Sequence, residues 1–172
     1  DRTEKIVKSY ADKGIRLLRI EGRKGKTFCQ NEAVKAASGD ILVFSDANSI
    51  YRPESIRELV KHFQHEKVGC VIGRRAYKRP DETADEKEGL YESYEGLIKK
   101  YESLLGGTIG ANGAIYAIRK VDFIPLPSDH ISDIVEPLLV NIEKCGIILQ
   151  EDRAICYEYE NNKLSDVLKR KK

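Results

Sequence analysis

Asp46 and Asn48 flank Ala47 in the stretch Ser45-Asp46-Ala47-Asn48, directly after the apolar run Ile41-Leu42-Val43-Phe44. In an extended segment, side chains two residues apart project to the same side. Hard oxygen donors placed that way can hold a divalent cation against a diphosphate. The same residues also suit a turn that closes ahead of a helix opened by Pro53. A second candidate is Asp133, in Asp129-His130-Ile131-Ser132-Asp133. A carboxylate at a cleft can take a proton from a hydroxyl, and an acidic residue at the start of a helix can equally be a cap. His130, beside the apolar Ile131, can ligate a metal or simply pack at the surface. Glycines in residues 106–113, among them Gly110 and Gly113 around Asn112, allow a ligand close to the backbone. The spacing fits neither a phosphate-binding P-loop nor a dinucleotide fingerprint. Arg23-Lys24-Gly25-Lys26 can meet phosphate or form a solvated loop.

The elements that must carry these residues alternate. Ile6, Val7 and Tyr10 mark a helix over residues 3–12, broken at Gly14, and residues 15–20 read as a strand. Residues 26–37 read as a helix, with Gly39 placed for a left-handed cap. Residues 40–45 hold a continuous apolar run, Ile41 to Phe44, bounded by the polar Asp40 and Ser45 and expected to be a strand buried on both faces. Ile56, Leu59, Val60 and Phe63 recur at i, i+3, i+4 and i+7, the pattern of an amphipathic helix on which His62 and His65 face solvent. Residues 68–72 read as a strand, 77–88 as an exposed charged loop, and 90–105 as a helix with a packing stripe. Residues 114–118 read as a strand. Ile134, Val135, Leu138, Leu139 and Ile142 mark a last helix, with Pro137 in its first turn and Gly146 at its end. Residues 147–149 and 154–159 read as short strands. Such alternation predicts an α/β fold with a mostly parallel sheet flanked by helices, in which ligands bind beyond the carboxyl ends of the strands.

The chain has 172 residues, the size of one domain. A net charge of +2 argues against a nucleic-acid binder that works by bulk charge, and the apolar runs are too short to span a bilayer. Cys29, Cys70, Cys145 and Cys156 show no metal-pair spacing and read as buried free thiols. The absence of any Met and the opening Asp1-Arg2-Thr3 suggest an excerpt of a larger protein.

In order, Arg23-Lys24-Gly25-Lys26, Asn31-x-Ala33, Ala37-Ser38-Gly39-Asp40, Phe44-Ser45-Asp46-Ala47-Asn48-Ser49, Pro53-Glu54, Val68-Gly69, Gly110-Ala111-Asn112-Gly113-Ala114, Arg119 and Ser132-Asp133 resemble the family 2 glycosyltransferases. This is the inverting GT-A group that includes cellulose-synthase-like and exopolysaccharide enzymes, and the likeness runs to about Tyr159. It implies a single, partial GT-A domain over residues 1–172, with the first nucleotide-binding strand or strands preceding it. It implies a nucleotide-diphospho-sugar donor, a UDP-sugar foremost, and a divalent metal, Mg2+ or Mn2+. The family's Asp-x-Asp signature maps onto Asp46-Ala47-Asn48, so Asp46 and Asn48 take the metal positions. Asn48 replaces a second Asp, and its neutral amide oxygen can still coordinate. Lys26 and Asn31 join the donor side, and Gly110, Asn112 and Gly113 the acceptor or sugar side. The family's base maps onto Asp133, with Ser132 replacing its usual Glu, for single displacement with inversion. The implied acceptor is a saccharide or lipid-linked hydroxyl. The implied location is the cytoplasm, including the cytoplasmic face of a membrane reached through parts outside this chain. The rival readings are a sugar-phosphate nucleotidyltransferase and a sugar-nucleotide-binding module without catalysis.

Overall fold

The structure is a computed structural model that describes residues 2–78, 111 and 113–159. Gly110, Asn112 and the expected helix over residues 90–105 lie outside the described residues, as does most of the expected charged loop. In chain order the elements are α1 (Thr3–Lys8), α2 (Lys26–Ala36), β1 (Ile41–Phe44), β2 (Ile50–Tyr51), α3 (Ser55–Val60), β3 (Val68–Lys78), β4 (Tyr116–Arg119), α4 (Ser132–Lys144) and β5 (Ile147–Tyr159), with short 3-10 turns between some of them.

The five strands form one sheet in the order β1-β4-β3-β5-β2. The α/β class expected from the alternation holds, but the sheet is mixed rather than mostly parallel. Among the described residues only β3 and β5 pair in parallel, and the other three pairings are antiparallel. Alternation of helices and strands does not fix strand direction, because the long connections here return a chain from either end.

Alternate residues of the strands feed two cores. On one face Val71, Ile115, Ala117 and Cys156 pack with Leu59 and Phe63 of the α3 region. On the other, Phe44, Cys70, Ile72, Tyr116 and Ile118 pack with Val140 of α4, with Val34 of α2 alongside. β1 is an edge strand in the described sheet, so Leu42 and Phe44 are buried while Val43 is 36% exposed. Burial on both faces was expected there; among the described residues the α2 side is the better covered, with Ile41 only partly buried on the other. Residues 15–20 form no strand: no ladder partner lies beside them among the described residues, and Ile15, Leu17 and Leu18 stay exposed.

Two helix ends also depart from expectation. α2 ends with Ala37 extended, and Gly39 is not left-handed. α4 ends just before Gly146, as expected, with Cys145 in the left-handed position. Gly146 also lets β5 start hard against β3, its Cα beside Gly69. Pro137 sits in the second turn of α4, because the helix begins at Ser132. Of the cysteines, Cys70 and Cys156 are buried while Cys29 and Cys145 are exposed, and all are free.

His62 faces inward rather than out, where its Nε2 lies 2.8 Å from Glu151 of β5. Lys61 lies 2.7 Å from the same carboxylate, and Arg153 3.3 Å from it. Burial pushes the Glu151 carboxyl up, but hydrogen bonds from Lys61, the Arg153 backbone, His62 and the Arg153 side chain together outweigh it and bring it down to about 2. A carboxyl lowered on folding adds stability that is present above its ordinary range and is lost as pH falls through its folded value. Glu151→Gln is therefore expected to lower stability at pH 7 by about 1–2 kcal/mol. Denaturant melts should show that gap closing as pH falls from 4.5 toward 2. A gap that stays constant across that window would contradict this account.

Candidate functional site

Antiparallel pairing sets Phe44, the last residue of β1, opposite Tyr116, the first of β4. The residues that follow β1 and those that precede β4 therefore emerge together at one end of the sheet. Tyr51 ties them, its hydroxyl lying 3.2 Å from the carbonyls of both Phe44 and Ala114. Below them the rings of Phe44 and Tyr116 stack at 4.9 Å.

Beyond β1 the chain turns, with the Ser49 N–H donating to the Asp46 carbonyl. The segment 46–49 is thus a turn rather than the extended stretch expected. Asp46 is half-buried at its first position, and Ala47 and Asn48 are exposed. The turn reading and the ligand reading are compatible, since the turn presents both oxygen-bearing side chains at the sheet end.

α2 arrives at the same place. Gly25 precedes it with φ 87°, a conformation that favours glycine, and Lys26 is its first residue. A cation there adds to the positive end of the helix dipole. The Lys26 ammonium lies 2.8 Å from Asp46 Oδ1 and 3.9 Å from Asp133 Oδ2. Two further contacts hold α2 in place: Thr27 Oγ1 donates to the His130 carbonyl at 2.7 Å, and the Asn31 amide clamps Leu126 through its carbonyl at 2.7 Å and its N–H at 3.3 Å. Asn31, expected on the donor side, has its amide committed to this clamp. His130 pairs with Asp129 at the exposed rim, and Arg23 and Lys24 are exposed.

Asp133 lies in the first turn of α4, 27% exposed. Pro137, four residues on, has no N–H to offer the Asp133 carbonyl. The Ala111 N–H takes that carbonyl instead, at 2.6 Å. A proline inside a helix thereby frees a carbonyl that holds Ala111 beside the site. Gly113 packs so closely that a Cβ on it would collide with the Asp133 carboxylate and lie 2.9 Å from Lys26 Nζ. The structure thus brings Lys26, Asp46, Asp133 and Gly113 together. Sequence reasoning missed Pro137 as an anchor, although the signal, a proline four residues after Asp133, was in view.

Asp46 and Asn48 are hard oxygen donors, and Asp46 keeps Oδ2 free of Lys26. That donor set suits a divalent cation whose remaining ligands come from phosphate and water. Among the described residues no group of three or more His, Cys, Asp or Glu side chains is arranged for a metal, so the protein alone supplies only part of a coordination shell. Among the same residues no helix is long and apolar enough to cross a membrane.

Gly113→Ala is expected to move the Asp133 carboxylate aside in a crystal structure yet cost less than about 1 kcal/mol, since both neighbours are side-chain ends that can swing. Gly69→Ala, whose Cβ would meet Val140 at 2.5 Å and Gly146 backbone at 3.3 Å, should cost about 1–3 kcal/mol in the same melts. Equal costs would contradict the reading of Gly113 as a site glycine.

The sequence model of glycosyl transferase family 2 matches residues 1–124. A poly-beta-1,6-N-acetyl-D-glucosamine synthase of Staphylococcus aureus is 24% identical over 119 residues, covering 68% of this chain and 29% of that protein. The chain therefore spans under a third of that relative. A mannosyltransferase from Pyrobaculum calidifontis, solved with GDP-Man and Mn2+, superposes with a TM-score of 0.75 at 18% identity, over 98% of this chain and 47% of that one. S. aureus TarS, residues 1–349 with UDP-GlcNAc, superposes at 0.62 and 16% identity, over 95% of this chain and 47% of that one. These superpositions show the GT-A fold, and with the family match they establish that the chain belongs to glycosyl transferase family 2.

Proposed function

We propose that the protein transfers a sugar from a nucleotide-diphospho-sugar to an acceptor hydroxyl with inversion. The observation that carries this is the Lys26 ammonium poised between the Asp46 turn and the Asp133 carboxylate. A lysine at a helix N-terminus is a ready partner for a diphosphate. When donor phosphates arrive they can take over the charge that Asp46 and Asp133 now balance. Asp46 and Asn48 would hold the divalent cation, which when bound neutralises charge building on the leaving diphosphate. The relatives solved with Mn2+, GDP-Man or UDP-GlcNAc support that class of donor.

Asp133 then accepts the proton of the acceptor hydroxyl as its oxygen attacks the anomeric carbon. The family match ends at residue 124, so this role rests on the geometry of α4. Gly113, with no side chain, lets the Asp133 carboxylate and the Lys26 ammonium sit directly against its backbone. A UDP-sugar donor and a saccharide or lipid-linked acceptor fit this reading, as does work at the cytoplasmic face of a membrane.

Asp133→Asn should leave donor binding within about twofold while transfer falls about 10²- to 10⁴-fold, the range for losing a general base. Calorimetry and a product-release assay on the same preparation separate the two. Parallel loss of binding and transfer would remove Asp133 from the role of base.

A further inference from the structure

Three residues beyond Asp133 on α4 stands Glu136, only 2% exposed. Residues i and i+3 of a helix share a face, so Glu136 lies behind Asp133, under the site. Its Oε2 accepts a hydrogen bond from the Tyr116 hydroxyl at 2.8 Å, and its Oε1 is buried with no partner among the described residues. Gln30 of α2 reaches the same hydroxyl at 3.5 Å.

The site thus gathers three carboxylates, Asp46, Asp133 and Glu136, around one ammonium, Lys26. Lys26 makes its close pairing with Asp46, and the most buried carboxylate has no cation in contact among the described partners. Coulomb repulsion and desolvation then favour a proton on Glu136. The other groups facing it from β3 and β4, Cys70 and Tyr116, are pushed up by burial and stay neutral. Burial pushes the Glu136 carboxyl up and the charge on Asp133 adds to this, while the Tyr116 hydrogen bond and Lys26 draw it down, leaving it at about 7.

We propose that Glu136 is a positioning residue for Asp133, a buried carboxyl whose gain or loss of a proton sets how strongly Asp133 draws the acceptor's proton. The proposal rests on the reading of Asp133 as the base. With Glu136 neutral, Lys26 and Asp46 are the charged neighbours of Asp133 in the cluster. With Glu136 ionised, a like charge behind Asp133 makes it the stronger base.

The test is the pH profile of kcat at saturating donor and acceptor. In the wild-type protein kcat should rise about threefold through pH 7, as expected for a base strengthened by one neighbouring charge. Glu136→Gln should be flat across that range, with the donor KM unchanged. Tyr116→Phe, which removes the bond that stabilises the Glu136 carboxylate, should move the rise to higher pH, and it decides the matter should Glu136→Gln not fold. A rise unaltered by Glu136→Gln, or one unmoved by Tyr116→Phe, overturns the proposal while the transferase reading stands. A wild-type protein that transfers no sugar from any nucleotide donor overturns that reading, and this proposal falls with it.

Discussion

The Lys26 ammonium stands 2.8 Å from Asp46 and 3.9 Å from Asp133, and the fold converges on that one charge. Removing it would leave two carboxylates facing each other near the positive end of α2 with no counter-ion in the cluster. Three segments must end at the same point for the contact to exist. β1 must stop at Phe44 so that Asp46 opens a turn, α2 must begin at Lys26, and α4 must begin at Ser132. The left-handed Gly25 and the antiparallel register of β1 on β4 bring the first two together. The Asn31 and Thr27 contacts carry α2 to the segment that leads into α4.

Behind the charged cluster lies a layer that fixes it. The Phe44 and Tyr116 rings stack across the β1–β4 pair, and the Tyr116 hydroxyl reaches Glu136 on α4. Pro137 frees the Asp133 carbonyl for Ala111. The side chain of Asp133 thus faces Lys26 while its own backbone carbonyl holds Ala111. The first two turns of α4 carry the candidate base Asp133, the buried Glu136 and the anchor Pro137.

Much of this was legible in the residues. The i, i+3, i+4, i+7 spacing marked the helix around Leu59, the run at residues 41–44 marked β1, and the oxygen donors at its end marked the candidate site. Lys26 and Asp133 were identified separately, and the structure makes them neighbours. Strand direction was not legible, because hydrophobic periodicity reports which face is buried and not which way the chain runs. Residues 15–20 carry the right residues for a strand, but a strand needs a partner, and none lies beside them among the described residues. Gly39 looked like a left-handed cap, whereas α2 ends extended at Ala37; Gly146 does follow the end of α4, with Cys145 in the left-handed position, and also serves the close approach to Gly69. Glu136 was hidden because a charged residue in a helix reads as surface until the sheet is laid over it.

The most direct test of the account is a calorimetric titration of the protein with UDP, with and without Mn2+, beside Asp46→Ala. The account predicts binding that needs the metal and that Asp46→Ala loses. Binding that is indifferent to both, or no binding in either protein, would contradict the assignment of the Lys26–Asp46–Asp133 cluster as a nucleotide-sugar site.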